Sequence, residues 1–343
     1  MSDIGNEVGG TLVPPHPRLY FDGFDQGLPV LKAKKPEDGI INNILANDKT
    51  PLNKIINYDE TNAKTLKANK RRWLENSKTN GKNYPDMGKN NSLGKFQGYL
   101  ANKPSILIGA GPSLKKNAHL LKDSGITTFA VMHALPYLNK IGFTPDFVVH
   151  ADAMATDAEF ITEDSKDITL IAHTIVAPAV IRKWKGDVVF YKGFASDEFG
   201  DKINDVVTAD TTIKPMGCSM AAAMNVAEEL MMSTSVIFIG NDLCYDDKDG
   251  SHVWDGLNYN TNELVGVAPL TTKGTIAGDI EKTVTTCYQF ILYRQNIQNY
   301  TQARRMVPPY KRFINATEGG ILLLPETMTL KEALKSVESD TNI

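Results

Sequence analysis

Gly109-Ala110-Gly111-Pro112-Ser113 stands between an apolar run, Ser105 to Ile108, and a helical pattern that opens at Leu114. A strand that passes through glycines into a helix start brings backbone N–H groups and the positive end of the helix dipole to one point, which suits a phosphate. Pro112 fits the first helical turn, where its missing donor costs nothing, and the Ser113 hydroxyl adds a donor beside the same anion. The spacing is not the dinucleotide fingerprint, because the third glycine of G-x-G-x-x-G would fall at Leu114. The same turn also serves as a plain strand-to-helix connection in any α/β protein.

Three other segments carry groups suited to proton transfer or polar recognition. His150 and Asp152 close the run PDFVVHAD, and Asn241 and Asp242 close VIFIGNDLCY, with Tyr245 just beyond. Gly217 and Ser219 precede the small-residue helix SMAAAMNVAEEL, where Ser219 reads as an N-cap and Gly217 permits close backbone approach. An Asp at a strand end serves equally well as a cap on the next turn, and His150 equally well as a core histidine. His252, in the polar loop DDKDGSH, is placed to act as a general base, since a loop imidazole titrates near neutral pH and takes a proton from a hydroxyl. A surface histidine without a role fits the same evidence. The DDKDG run lacks the spacing and closing Glu of a calcium loop. His119 and His133 carry no motif, and the cluster Met216, Met220, Met224, Met231 and Met232 reads as core.

To converge, these groups need a common rim. Short β-rich runs at 105–109, 127–132, 147–152, 168–172, 188–191 and 236–240 alternate with helical stretches at 113–123, 135–141, 177–184 and 219–232. Nearly continuous apolar strands alternating with helices predict a Rossmann-like, doubly wound α/β fold, its sheet mostly parallel and covered on both faces. Right-handed crossovers then bring all the strand carboxyl ends to one edge. A long helix is predicted over 279–305 and a terminal one over 330–337. The expected domains are an N-terminal arm over 1–92 (loop-rich to about 50, helical over 59–76, a polar linker over 77–92), a core over 93–320 and a helical tail over 321–343.

Composition narrows the class. The 343 residues hold 42% hydrophobic and 22% charged residues with a net charge of −3, which speaks against nucleic acid as the main partner. The three cysteines, Cys218, Cys244 and Cys287, are too scattered for a disulfide framework or a Cys-based zinc site. The opening MSDIGNEVGG does not read as a signal peptide, and no apolar run approaches the roughly 20 residues of a membrane span. The expected compartment is the cytoplasm.

The strings ILIGAGPSL, PDFVVHADA, GCSMAAAMNVAEEL, VIFIGNDLCY with its SH, and FINATEGG occur in an order that resembles the core of the motility-associated factor glycosyltransferases, a family related to the 6-hydroxymethylpterin diphosphokinase-like group. The likeness runs over about residues 93–320. A more distant similarity links GAGPSL and the G-x-D strand end to bacterial sialyltransferases that use CMP-activated sugars. The resemblance implies a transferase that moves a nonulosonate (sialic-acid type) sugar from a CMP-activated donor to a glycan or protein hydroxyl. It places Gly109, Gly111, Pro112, Ser113 and Leu114 on the phosphate and Asp152, Gly217, Ser219 and Asp242 along the nucleotide or sugar, where the strand-end reading also sets Asn241. Asn315, Thr317 and Glu318 would close the site from the C-terminal side. In that scheme His252, Asp242 and Tyr245 are the catalytic candidates, Tyr245 stabilising the departing phosphate. The rival expectations are a pterin diphosphokinase-like pyrophosphoryl transferase needing ATP and Mg²⁺, and a non-catalytic accessory protein. No cofactor is expected for the first reading, and no metal ligand is assigned.

Overall fold

The runs Ser105–Ile108 and Phe147–His150 are buried at every residue, as strands covered on both faces must be. The computed structural model describes residues 58–193, 198–214, 217–245, 253, 269–276 and 280–338. In chain order the strands are β1 (Ser105–Ile108), β2 (Thr127–Val131), β3 (Phe147–His150), β4 (Thr169–His173), β5 (Val188–Gly193), β6 (Thr212–Ile213), β7 (Ser235–Ile239), β8 (Pro269–Ile276), β9 (Ile280–Cys287), β10 (Arg312–Asn315) and β11 (Glu326–Thr327). The helices are α1 (Tyr58–Asn83), α2 (Leu114–Asn117), α3 (Leu135–Lys140), α4 (Pro178–Lys183), α5 (Glu198–Asn204), α6 (Ser219–Asn225), α7 (Tyr288–Met306) and α8 (Leu330–Glu338).

Nine strands form one sheet in the order β11-β10-β7-β1-β2-β3-β4-β5-β6, each neighbouring pair parallel. The chain winds outward from β1 to β6, returns to β7 on the other flank of β1, and winds outward again. The order therefore reverses between β1 and β7. A crevice opens outside the strand carboxyl ends at such a reversal.

Alternation along each strand divides the core in two. Ile106, Ile108, Ala130, Val148, Leu170, Ile237 and Ile239 pack with α2 to α5 and with Leu330, Ala333 and Val337 of α8. Leu107, Phe129, Phe147, Val149, Ile171, Val236 and Phe238 pack with α6 and with Ile297 of α7. The alanines and methionines of α6, fully or nearly buried, let this helix lie close over the centre of the sheet; Met220, Met224 and Met231 are core.

Several elements depart from expectation. The predicted helix over 279–305 starts only at Tyr288, because Ile280–Cys287, rich in β-branched residues, pairs antiparallel with β8 instead. Helix α1 runs on to Asn83, through residues expected as linker. There its side chains have work to do: Asn80 donates to the carbonyls of Thr174 and Val176 (2.9 and 2.8 Å) and Asn76 to that of Ile175 (2.9 Å), tying α1 to the loop after β4. The helix after β1 is one α turn followed by a 3₁₀ stretch, Ala118–Asp123. Helix α6 ends in a π turn, Val226–Leu230. Residues 1–57 of the expected arm lie outside the described residues. Among those described, no helix is long and apolar enough to cross a membrane.

The π turn places Glu228, its side chain fully buried, where Arg304 of α7 grips it through Nη2 (2.7 Å) and Nε (3.1 Å), Tyr300 donates its hydroxyl, and Lys311 approaches to 3.9 Å. Removing one member of such a cluster leaves the others uncompensated. Glu228→Ala should therefore lower unfolding free energy by about 3 kcal/mol in urea titration, with Arg304 and Lys311 left facing each other; a loss below about 1 kcal/mol would show the network to be solvated.

Candidate functional site

The strand carboxyl ends surround a cleft of about 380 Å³ directly over the β1/β7 reversal. Its lining includes Gly109 and Gly111 after β1, His133 after β2, His150 and Asp152 at the end of β3, and His173 at the end of β4. Asn241 and Asp242 after β7 join them. Gly217, Cys218 and Ser219 enter from the start of α6, and Phe290 and Tyr293 from α7.

Asp242 fastens the two loops at the reversal. Its Oδ2 accepts the Ser113 hydroxyl at 2.7 Å and its Oδ1 the Ser113 amide at 3.2 Å. The fit allows no side chain at Gly111, where a Cβ would lie 2.0 Å from Asp242 Oδ2, or at Gly109, where it would lie 2.3 Å from the Gly240 carbonyl. The amides of these glycines are also engaged: Gly109 N–H donates to Ile239 (2.8 Å) and Gly111 N–H to Gly240 (2.7 Å). The donors expected to grip a ligand phosphate thus close the joint between β1 and β7. Gly109 and Gly111 line the cleft as bare backbone, whereas Pro112 and Ser113 do not line it, and the anion facing Ser113 is the chain's own carboxylate. Burial pushes the Asp242 carboxyl up to about 6 even though both Ser113 bonds and the nearby Lys116 pull it down.

The C-terminal motif supports the same joint. Asn315 donates to the Leu322 carbonyl (2.7 Å), Thr317 Oγ1 accepts the Asn241 amide (3.3 Å), and the Ile321 amide donates to the Asp242 carbonyl (2.8 Å). Glu318 accepts from Asn117 and from the Leu330 amide, both at 3.0 Å, and so caps α8. Asn315 and Thr317 are buried, and none of the three is among the residues that line the cleft. Ser219 does line it, but its hydroxyl accepts the Ala151 amide (3.2 Å) and Cys218 occupies the N-cap position. Tyr245 does not line the cleft; its ring lies 5.5 Å from that of Phe290, which does. His252 lies outside the described residues.

The densest set of ionisable groups lies at the ends of β2 and β3. Asp157, on the 3₁₀ turn Ala155–Phe160, has Oδ1 3.5 Å from His133 Nε2 and Oδ2 3.3 Å from His150 Nε2. Asp152 stands beside them with Oδ1 accepting the Met154 amide (2.9 Å), and burial and the Asp157 charge raise its pKa. Burial lowers His150 to about 4 against the pull of Asp157, so the imidazole is neutral at pH 7. Burial lowers His173 to about 4 as well. Sequence reasoning set His133 aside and passed over Asp157, His173, Lys214, Phe290 and Tyr293. A signal existed for the histidines, since His150 and His173 are the last residues of β3 and β4 and His133 follows β2 by two. For Asp157, seven residues past its strand, there was none.

Among the described residues no group of three His, Cys, Asp or Glu is placed to hold a metal ion. Of the carboxylates of the cleft, Asp242 accepts from Ser113 and Asp152 from the Met154 amide, while Asp157 stands near two histidines with its Oδ2 making no hydrogen bond. This donor set does not fit a Mg²⁺ centre, and no chemical step is assigned to one.

The raised pKa of Asp242 has a sign that can be measured. Between the ordinary value of 3.8 and about 6 the folded state keeps a proton that the unfolded chain releases, so the residue's contribution to stability is greatest below 3.8 and declines up to about 6. Asp242→Asn removes that decline. In urea unfolding at pH 4 and pH 7, the stability of the variant relative to the parent should rise by roughly 2–3 kcal/mol at the higher pH. An unchanged difference would mean that the carboxylate titrates normally.

A solved structure with a related outline, described as an MAf glycosyltransferase from Magnetospirillum magneticum AMB-1, superposes with a TM-score of 0.49 at 15% identity over 70% of this chain. The chain spans 37% of that protein's length. No curated protein matches the chain. The family model described as 6-hydroxymethylpterin diphosphokinase MptE-like matches residues 71–248, from the middle of α1 to just beyond the Asp242 loop. That stretch is more than half of the sequence and holds β1 to β7 with the loops that build the cleft, and on this ground the chain belongs to the MptE-like family.

Proposed function

We propose that the protein is a transferase that binds a nucleotide-activated sugar in the cleft over β1 and β7 and passes the sugar to a hydroxyl. A CMP-activated nonulosonate is the donor that the resemblance of ILIGAGPSL, PDFVVHADA and GNDLCY favours. The observation that carries the reading is the convergence of those strings on one cleft at the reversal of a parallel sheet, where α/β proteins bind nucleotides. The cleft offers flat aromatic surface on Phe290 and Tyr293, suited to a base, and Lys214, the single Lys or Arg in its described lining, suited to the phosphate. With the Gly109–Ser113 donors turned inward, Lys214 takes over the role expected of the glycine turn. In the transfer the bond between the anomeric carbon and the phosphate oxygen breaks with its electron pair leaving on CMP, through an oxocarbenium-like centre, and electrostatic stabilisation of that leaving charge is the main demand on the protein.

The family description favours a second reading, pyrophosphoryl transfer from ATP to a pterin, which shares the cleft but calls for carboxylates free to hold Mg²⁺. The two separate in a thermal-shift series with CMP, CDP, UDP, GDP, ATP and AMP, with and without Mg²⁺. CMP at about 100 times its dissociation constant should stabilise the fold by about 2.7 kcal/mol, indifferent to chelation. Stabilisation by ATP alone, lost on chelation, would transfer the protein to the second reading; no response to any nucleotide would make it a non-catalytic member. Lys214→Met should weaken CMP roughly tenfold or more while leaving the melting temperature of the free protein within a few degrees. Equal affinity would remove the lysine from the phosphate.

A further inference from the structure

Resting on the transferase reading, we infer that the ends of β4, β5 and β6 form an oxyanion subsite of the cleft, in which His173 and Tyr191 donate to a phosphate or a sugar carboxylate beside Lys214. Adjacent parallel strands bring the three residues together. His173 pairs with Tyr191, and Gly193 pairs with Ile213, the residue before Lys214. His173, Tyr191 and Lys214 all line the cleft. Residues paired across a ladder point to one face of the sheet, and the packing of Tyr191 marks it as the face under α6. The His173 and Tyr191 rings meet edge to face with centroids 5.0 Å apart.

Both side chains present a proton. The Ile175 amide donates to His173 Nδ1 at 3.1 Å, so Nδ1 is the accepting nitrogen and the neutral ring carries its proton on Nε2. Burial lowers His173 to about 4, which keeps the ring neutral at pH 7. Nε2 lies over Gly193, where a Cβ would come within 2.6 Å of it, and the missing side chain leaves that atom room. Tyr191 is 1% exposed, and its hydroxyl has no hydrogen-bond partner among the described residues. Burial pushes the Tyr191 pKa up, so the hydroxyl keeps its proton. A buried donor left unsatisfied costs free energy that an acceptor on a ligand recovers.

The balance of donors and acceptors selects an oxyanion. A ligand hydroxyl brings a proton that needs an acceptor of its own, and the accepting nitrogen of His173 is engaged by Ile175. The carboxylates of the lining, Asp152, Asp157 and Asp242, follow β3 and β7, and the ends of β4, β5 and β6 bring none. Cys218, next to Tyr191 at the start of α6, is pushed up to about 11 by burial and remains a thiol. Donors in excess of acceptors, with a lysine at hand, suit a phosphate or carboxylate oxygen, which accepts and has no proton to place.

Ring-nitrogen NMR of the full chain tests the subsite, with the His173 signals assigned by their loss in His173→Gln. Two probes separate the sources of the oxyanion: CMP for the phosphate and the methyl glycoside of N-acetylneuraminate for the carboxylate. Cytidine and the methyl ester of that glycoside are their uncharged counterparts. One anionic probe should shift His173 Nε2, and its counterpart should leave it unmoved. By calorimetry that probe should bind roughly ten- to hundredfold more weakly to Tyr191→Phe and to His173→Phe, the range of a hydrogen bond to a charged group. His173→Gln, whose amide reaches the Nε2 position, should recover part of the loss. Tyr191→Phe should melt with the parent, since its hydroxyl has no partner to lose; a much lower melting temperature would make the hydroxyl structural and overturn its role. Should either phenylalanine variant fail to fold, the shift of the parent's Nε2 by an anion and not by its counterpart carries the measurement. A proton on Nδ1, or parental affinity for both probes in both variants, overturns the subsite, and CMP bound as tightly by them as by the parent leaves the transferase reading standing. A shift of His173 by the glycoside in a chain that binds no nucleotide keeps the subsite and removes the transferase reading. A chain that binds neither probe overturns both.

Discussion

One carboxylate holds the functional edge together. Asp242 sits on the Ser113 amide and hydroxyl across the joint where the sheet reverses, and the loops after β1 and β7 close around it. The requirement for glycine follows. At 109 and 111 a Cβ would strike the opposing backbone or the carboxylate itself, and at Gly320 (φ +75°) the chain passes 2.1 Å from the Asp242 carbonyl measured from such an atom. The raised pKa shows which effect wins: two hydrogen bonds and a nearby lysine do not recover what desolvation of the charge costs. A joint of this kind specifies a single arrangement of two loops at some expense in stability, and the neighbouring left-handed residues Leu243 (φ 53°) and Glu318 (φ 58°) add to that expense.

Those donors face inward, and the ionisable groups of the cleft lining lie further along the sheet. The ends of β2, β3 and β4 each bring a histidine to the rim, and the turn after β3 adds Asp157. Parallel strands of equal register make this convergence automatic: Phe147 pairs with Phe129 and with Thr169, so groups at the three strand ends emerge side by side. Opposite them, α6 and α7 contribute Gly217, Phe290 and Tyr293. There Gly217 (φ +88°) lies so near Tyr293 that a Cβ would come within 3.1 Å of the ring. The lining therefore combines these ionisable groups with the rings of Trp73, Tyr191, Phe290 and Tyr293.

Much of the architecture was legible because it depends on local pattern. The six strands read from apolar runs are β1, β2, β3, β4, β5 and β7, within two residues at each end, since burial on both faces leaves continuous hydrophobic stretches between turns. What was illegible depends on partners distant in sequence. β9 looked helical until β8 supplied its ladder, and the end of α1 looked like linker until the loop after β4 supplied carbonyls for Asn76 and Asn80. β11 has only two residues and β10 only Phe313 and Ile314 as apolar ones, and they add to the sheet because β7 leaves an edge for β10 and β10 one for β11. At the site the strand-end residues Asp152, Asn241 and Asp242 were found by rule, while Asp157 was missed, because nothing local marks a carboxylate whose two partners lie 24 and 7 positions away.

The strings that carried the resemblance divide by what they touch. PDFVVHADA and GCSMAAAM supply cleft lining through His150, Asp152, Gly217 and Ser219. ILIGAGPSL is split between the two duties, its glycines at the cleft and Ser113 beneath it, and FINATEGG lies wholly in the frame. A distinctive motif therefore need not mark a contact with ligand. Where a buried carboxylate must be seated among four glycines and two left-handed turns, few sequences satisfy the geometry, and the restriction is as severe as any that a substrate imposes. Other residues of the lining are under no such local restriction: His133, Asp157 and Lys214 need only reach the rim from whichever element passes it, and so they carry the faintest signature in the chain.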